Sequence, residues 1–271
     1  MWTQYQDIVV EAKERIGTIR LNRPDALNAI RPKTSEELIA AFRSLEEDDD
    51  VSVVILTGTG KAFCAGDDVK EIFARRLDAP PPEPDVRREA EALRRHEPVG
   101  LDFLSKYSKP TIASINGVAV GYGCDIALQC DFRVAAESAR IGEIFIRRGL
   151  IPEAGGLLIL PMLVGWEKAH ELVLTGDIVE AREAYRIGMV GQVVPDGELE
   201  TATWNLALRL TSQPPLAQRM AKEGLHLARH GSLDHFFDYA RKAQELMFRS
   251  ADHREGVQSF LEKRPPTFTG R

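Results

Sequence analysis

Apolar and polar residues along the chain follow two alternating periods. Residues 7–13 (DIVVEAK) and 15–22 (RIGTIRLN) are short β-rich runs separated by a break, which predicts two strands joined by a turn. Residues 34–48 (TSEELIAAFRSLEED) switch to a helical period, with Thr34 and Glu37 spaced as a capping box at its start. The continuous apolar run 51–58 (VSVVILTG) reads as a buried strand, and a helix is expected to open within residues 63–72 (FCAGDDVKEI). The prolines of 79–85 (APPPEPD) exclude a helix interior and predict an exposed loop, followed by a polar helix over 86–97. Residues 109–120 (KPTIASINGVAV) read as one further apolar strand, running into Gly121-Tyr122-Gly123 and a helix over 124–129 (CDIALQ). Residues 130–137 (CDFRVAAE) then form a third buried strand.

Repeated alternation of strand and helix argues for an α/β fold with right-handed crossovers. From about Gly197 the pattern changes. Residues 198–213, 215–230, 232–250 and 252–263 are all helical in period, with apolar positions that need a partner, either the main domain or a neighbouring subunit. The chain thus divides into a core over residues 1–196 and a helical region over 197–271.

Composition narrows the class. The 271 residues are 44% hydrophobic and 28% charged, an ordinary globular balance, and 35 basic against 41 acidic residues give a net charge of -6. No basic stripe interleaved with aromatics is present, so nucleic acid is not an expected partner. The cysteines, Cys64, Cys124 and Cys130, are too few and too irregularly spaced for a disulfide framework, which fits a reducing compartment. The N-terminus has no apolar signal core and no window suits a membrane span, so a cytoplasmic protein without a membrane partner is expected.

Familiar catalytic signatures are missing. Gly60-Lys61 is followed by Ala62 rather than Ser or Thr, which removes a phosphate-binding loop, and neither Gly58-x-Gly60 nor Gly121-x-Gly123 continues as a dinucleotide fingerprint. There is no G-x-S-x-G elbow and no HExxH; His226 and His230 read as helix-face residues, and no metal site is expected. Two glycine turns at strand-to-helix junctions remain, Ala65-Gly66-Asp67 and Gly121-Tyr122-Gly123. Backbone N–H groups at a helix start attract developing negative charge, and two such turns converging on one point would make an oxyanion hole.

These motifs resemble the crotonase (enoyl-CoA hydratase/isomerase) superfamily over essentially the whole chain. The resemblance is carried in order by GTIRLNRPDALNAI, GKAFCAGDDVKEI, KPTIASINGVAVGYGCDIALQCDFRVAAESARIG, RRGLIPEAGGLLILPMLVG and LTGDIVEAREAYRIGMVGQVV. It implies a spiral of β-β-α turns over residues 1–196, for CoA binding and catalysis, and a C-terminal helical trimerisation region over 197–271. It also implies an acyl-CoA substrate, a homotrimer or a dimer of trimers, and no cofactor beyond the coenzyme A moiety of the substrate. By the same resemblance, Asp67 and Tyr122 supply the two backbone N–H groups that hold the thioester oxygen. Arg23, Ala26, Leu27 and Ala65, with Asp67, Asp68, Val69 and Lys70, follow the path of the CoA moiety, Lys70 toward its phosphates.

The family's hydratases use two glutamates to activate one water. The position of the first is Asp125 here, and that of the second is Phe145, which has no proton to give or take. Glu143 lies two residues earlier and would share a strand face with Phe145. Glu153, in LIPEAGG, matches the point where several isomerases of the family carry a single catalytic acid. Two enzyme readings follow: a Δ3-Δ2 enoyl-CoA isomerase with Glu153 as proton shuttle, or a hydratase using Asp125 with Glu143 or Glu153. Thioester or ring C–C hydrolysis, and a non-catalytic acyl-CoA-binding relative, are further alternatives. The proline-rich loop and the region of His96 are expected to shape the acyl pocket.

Overall fold

The computed structural model describes residues 4–74, Arg87 and residues 102–271. The loop expected at 79–85, the helix expected at 86–97 and His96 lie outside these, apart from Arg87. The first two apolar runs form β1 (Ile8–Lys13) and β2 (Ile16–Leu21), an antiparallel hairpin. Glu14 and Arg15 between them both take positive φ, 54° and 65°, which matches the twist a two-residue hairpin needs. Parallel strands β3 (Val53–Gly58), β5 (Thr111–Ile115), β7 (Phe132–Ala136) and β10 (Gln192–Val194) extend this sheet in the order β1-β2-β3-β5-β7-β10. Every residue of β3 and β5 is buried, which is why their sequences are continuous rather than alternating.

A second sheet takes β4 (Ala62–Cys64), β6 (Val118–Val120), β8 (Arg140–Gly142) and β9 (Val179–Glu180), parallel except for the last pair. Each pass of the chain therefore leaves one strand in each sheet: β3 then β4, β5 then β6, β7 then β8. This is the spiral of β-β-α turns. The single strand expected over 109–120 is accordingly two. Asn116 makes the corner: its side chain accepts from the Gly58 N–H (3.1 Å) and donates to the carbonyls of Gly60 (3.0 Å) and Ala62 (3.2 Å). A Cβ on Gly117 would lie 2.1 Å from the Lys61 carbonyl oxygen, so only glycine lets the chain cross there.

Helix α1 (Pro32–Glu47) begins two residues before the expected capping box, with Arg31 at its N-cap and Thr34 inside the first turn. Thr34 closes this cap as its third helical residue, its hydroxyl accepting the Arg31 N–H (3.4 Å), and together with Glu37 it also anchors the N-terminal segment. Thr34 donates to Asp7 (2.6 Å), and Glu37 accepts the N–H groups of Gln6 (2.9 Å) and Asp7 (2.7 Å). Burial alone would raise the Asp7 carboxyl, but the hydrogen bonds from Arg31 and Thr34 hold it below its ordinary value. Helix α2 (Tyr122–Gln129) follows β6 and is buried at all its positions. The Arg133 guanidinium closes its far end, donating to the carbonyls of Ala127, Leu128 and Cys130 and, at 2.9 Å, of Met189.

The remaining helices are α3 (Gly156–Val164), α4 (Trp166–Thr175), α5 (Ala181–Arg186), α6 (Leu199–Thr211), α7 (Pro215–His230), α8 (Leu233–Phe248) and α9 (Ala251–Glu262). α6 covers one face of the first sheet: Leu199 and Ala207 join Ile16, Val53, Ile55, Ile112 and Val134. Residues of this size stabilise by ~1.5–3 kcal/mol each when fully buried. Lys222 on α7 ties the tail to the core through Asp131 (2.6 Å) and the Lys109 carbonyl (2.9 Å). Beyond that, Leu225, Leu233, Phe237, Phe260 and Leu261 of α7–α9 are exposed. No helix among the described residues is long and apolar enough to cross a membrane.

Candidate active site

The two glycine turns interlock. β4 ends at Cys64, and Gly66 takes φ +88°, a left-handed conformation that lets Ala65-Gly66-Asp67 fold back on itself. A Cβ on Gly66 would lie 2.9 Å from the Val120 carbonyl oxygen and 3.3 Å from the Tyr122 amide nitrogen, so the second turn packs directly on the first. In return, a Cβ on Gly123 would lie 2.2 Å from the Cys64 carbonyl oxygen. Both turns line one recess, walled further by Val69, Ile144, Phe145, Arg148 and Leu150. Asp67 and Tyr122 both belong to this wall, and Tyr122 opens α2, whose N-terminal end carries partial positive charge. Of the wall residues, Ile144, Arg148 and Leu150 carried no signal in the sequence; they reach the recess because the chain leaves β8 in a 3₁₀ turn (Ile144–Arg148).

Residues 23–30 hold the first turn in place. Ala65 donates to the Leu27 carbonyl (3.0 Å), Ile30 to Gly66 (2.8 Å) and Asp68 to Ile30 (2.7 Å). Leu27 and Asn28 have φ of 49° and 57°. Asn28 secures this unfavourable backbone: its amide donates to the carbonyls of Thr59 (2.9 Å) and Ala62 (2.7 Å), and its oxygen accepts the Arg23 N–H (2.9 Å). In the sequence Asn28 carries no signal of this role, being one polar residue between Leu27 and Ala29. Leu27, Ala65 and Val69 thus lie along one rim, with Leu27, Val69 and Lys70 exposed.

Arg23 and Asp68 are placed differently. The Arg23 guanidinium turns inward to Asp68 (2.9 Å) and the Ala29 carbonyl. Asp68 also accepts the N–H groups of Lys70 and Glu71, both at 3.2 Å, which starts the π-helical turn Val69–Ala74. Burial would raise the Asp68 carboxyl, but Arg23 and these amides hold it below its ordinary value. The helix expected within 63–72 therefore begins only at Val69, because Asp68, not the small-residue run, caps it. Burial pushes the adjacent Cys64 thiol up to about 12, so it is no nucleophile.

The three candidate carboxylates separate into two environments. Asp125, in the first turn of α2, and Glu143 are 0% and 1% exposed. Glu143 does not share a strand face with Phe145: β8 ends at Gly142, and in the 3₁₀ turn that follows, side chains are set by a three-residue period. Phe145 reaches the recess while Glu143 turns toward Asp125. Gly156 covers both, since a Cβ there would lie 2.4 Å from Asp125 Oδ1 and 2.6 Å from Glu143 Oε1. Asp125 Oδ2 accepts the Ala154 N–H (3.2 Å), and the Gly156 N–H stabilises the same carboxylate. Burial raises both carboxyls, that of Glu143 well above its ordinary value. Glu153 is exposed, on the loop between the wall residue Leu150 and α3, near enough for its charge to act on Asp125. Among the described residues no three His, Cys, Asp or Glu side chains gather as a metal site.

Spiral, interlocked turns and recess together make up the α/β architecture that the sequence resemblance implies, and comparison with known proteins agrees. The profile of the enoyl-CoA hydratase/isomerase family matches residues 11–271. The chain is 38% identical to 1,2-epoxyphenylacetyl-CoA isomerase of Escherichia coli K12, over 97% of this chain and 98% of that protein. It is 35% identical to crotonyl-CoA hydratase of Syntrophomonas wolfei, over 98% and 99%. The crystal structure of enoyl-CoA hydratase from Bacillus anthracis superposes with a TM-score of 0.86 at 37% identity, covering 98% of this chain and 100% of that one. The protein belongs to the enoyl-CoA hydratase/isomerase family, the crotonase superfamily, and is an enzyme of that family. The family and the α/β spiral expected from the sequence are borne out.

Proposed function

We propose that this enzyme moves the double bond of an enoyl-CoA thioester between the Δ3 and Δ2 positions. The amides of Asp67 and Tyr122 hold the thioester oxygen, and Glu153 is the proton shuttle. In the forward sense the Glu153 carboxylate takes a proton from C2 of a 3-enoyl thioester. The C–H electron pair becomes the C1=C2 bond of a dienolate as the carbonyl π pair moves onto the thioester oxygen. When the carbonyl re-forms, the C1=C2 pair becomes C2=C3, and the C3=C4 pair takes up the proton that Glu153 returns to C4. Removing one oxyanion donor in sites of this kind costs ~3–4 kcal/mol, so the two amides are the largest catalytic contribution asked of this chain.

The observation that carries the reading is the contrast among carboxylates. Glu153 is exposed, three residues past the wall residue Leu150, whereas Asp125 and Glu143 are sealed beneath Gly156. A hydratase must hold a water between its acid and base, and a pair closed off in this way is poorly placed to do so. The relative named as an isomerase adds weight.

Ala26, Leu27, Ala65 and Val69 lie along the CoA path in this reading, with Lys70 toward the phosphates. Arg23 and Asp68 act as the brace of that turn. No cofactor is needed besides the CoA of the substrate. The exposed apolar residues of α7–α9 suit packing in a homotrimer or a dimer of trimers, and the three buried, unpaired cysteines suit the cytoplasm.

The test is product analysis from 2-enoyl and 3-enoyl thioesters in heavy water. Isomerisation gives positional isomers with deuterium uptake and no added water, lost in Glu153→Gln. Rapid hydration of crotonyl-CoA that is unaffected by Glu153→Gln would overturn the reading.

A further inference from the structure

Asp125 and Glu143 form a buried acidic pair that the shuttle itself does not use. Both oxygens of Glu143 and Oδ1 of Asp125 are fully buried and have no hydrogen-bond partner so long as both groups are ionised. Yet the two carboxyls face each other. Asp125 Oδ1 lies 2.4 Å and Glu143 Oε1 2.6 Å from the point where a Gly156 Cβ would stand, so the two oxygens are at most about 5 Å apart. Two carboxylates this close, away from water, cannot both be anions. One proton between them satisfies both.

The surroundings decide where it sits. Asp125 has the Ala154 and Gly156 N–H groups and the first turn of α2 to stabilise a negative charge. Glu143 has no backbone donor; the titratable groups acting on it are Asp125 and the weakly donating Cys124 thiol, both from α2. Glu153, from the loop before α3, acts on Asp125 with a charge of the same sign.

We propose that Asp125 and Glu143 hold a single proton, with Glu143 as O–H donor and Asp125 as anion, and that the pair is a positioning device. The anion gathers the N–H groups of Ala154 and Gly156 and so fixes the turn that presents Glu153. The positioning role rests on Glu153 being the shuttle; the shared proton does not. Gly156 is part of the device, because its missing side chain is what lets the loop close over the pair.

Infrared spectroscopy of the whole enzyme in water and heavy water tests the shared proton directly. At neutral pH the wild type shows a protonated-carboxyl C=O band that shifts in heavy water, disappears in Glu143→Gln and persists in Glu153→Gln. No such band, or one that survives in Glu143→Gln, overturns the proposal. Kinetics test the positioning role. Glu143→Gln keeps an N–H donor facing Asp125 and loses no more than about fivefold in kcat, whereas Glu143→Leu loses ~10- to 100-fold, mostly in kcat rather than KM. Should the leucine variant not fold, Asp125→Asn, which turns an acceptor into a donor, shows the same split. Equal rates for Glu143→Gln and Glu143→Leu overturn the positioning role. If Glu153→Gln keeps full rate while the band behaves as described, the shuttle assignment fails and the shared proton stands. If Glu153→Gln abolishes turnover but the band is absent, the reverse holds.

Discussion

Replacing Gly123 by alanine perturbs the contact that brings the two glycine turns together. The new Cβ would start 2.2 Å from the Cys64 carbonyl oxygen and 2.8 Å from the Cys64 Cβ, against an ordinary contact of 3.4–4 Å. The obstacle is β4 backbone held in a sheet, so it cannot swing aside as a flexible side chain would. The N-terminal turn of α2 must therefore withdraw by about 1 Å, and the Tyr122 amide with it. Overpacking of this kind costs ~1–3 kcal/mol, partly offset by the ~1 kcal/mol that alanine gains over glycine in a helix. Net destabilisation is thus about 0–2 kcal/mol, and the variant folds. The rate is more sensitive: a 1 Å misplacement can cost ~100-fold, equivalent to about 2.7 kcal/mol of transition-state stabilisation. Urea unfolding gives the first quantity, and the ultraviolet absorbance of the conjugated 2-enoyl thioester gives the second. A Gly123→Ala enzyme with wild-type kcat would refute the reasoning, because it would mean that the spacing of Asp67 and Tyr122 does not govern catalysis.

Glu153→Gln removes the proton acceptor without changing its size and is expected to lower kcat by ~100- to 10,000-fold with little change in stability, read by the same absorbance assay and by urea unfolding. Asn28→Ala strands the Thr59 carbonyl, leaves the Ala62 carbonyl with Asn116 alone and removes the side chain that supports φ 57°, for an expected loss of ~1–3 kcal/mol; a loss under about 0.5 kcal/mol in urea unfolding would contradict the anchoring role. Glu143 binds its proton more tightly folded than unfolded, so its contribution to stability is fully present below its unfolded value of 4.5 and is lost as pH rises toward the raised folded value. Comparing unfolding of wild type and Glu143→Gln from pH 4 to 8 should show a downward slope with pH in the wild type that the variant lacks.

Much of the fold was legible because its signals are local. The hairpin, α1, α2 and the four tail helices announce themselves through apolar period, and the glycine turns through composition. Errors arose where a local pattern had a distant competitor. Thr34 and Glu37 have capping-box spacing, yet the box forms three residues earlier, between Arg31 and Thr34, and Asp7 and its neighbours bond both side chains across about thirty residues of sequence. The run 109–120 carries a turn signal, Asn116-Gly117, between two short apolar segments, but the apolar residues on either side read as one strand; the corner is made there by Asn116 bonding to residues 58–62. Carboxylate identity could be read in the sequence, but accessibility could not. Glu143 is sealed because Gly156 is laid over Asp125 and Glu143, a meeting of α2, the segment after β8 and the start of α3, while Glu153 stays exposed on the loop before α3.

A crystal structure of the enzyme with a saturated, unreactive acyl-CoA bound places the thioester where the reaction would occur. The account predicts the thioester oxygen about 3 Å from the amide nitrogens of both Asp67 and Tyr122, with the Glu153 carboxylate over the C2–C4 stretch of the acyl chain and Asp125 and Glu143 still covered. A thioester oxygen that meets only one of those amides, or an acyl chain whose C2 faces a carboxylate other than Glu153, would contradict it.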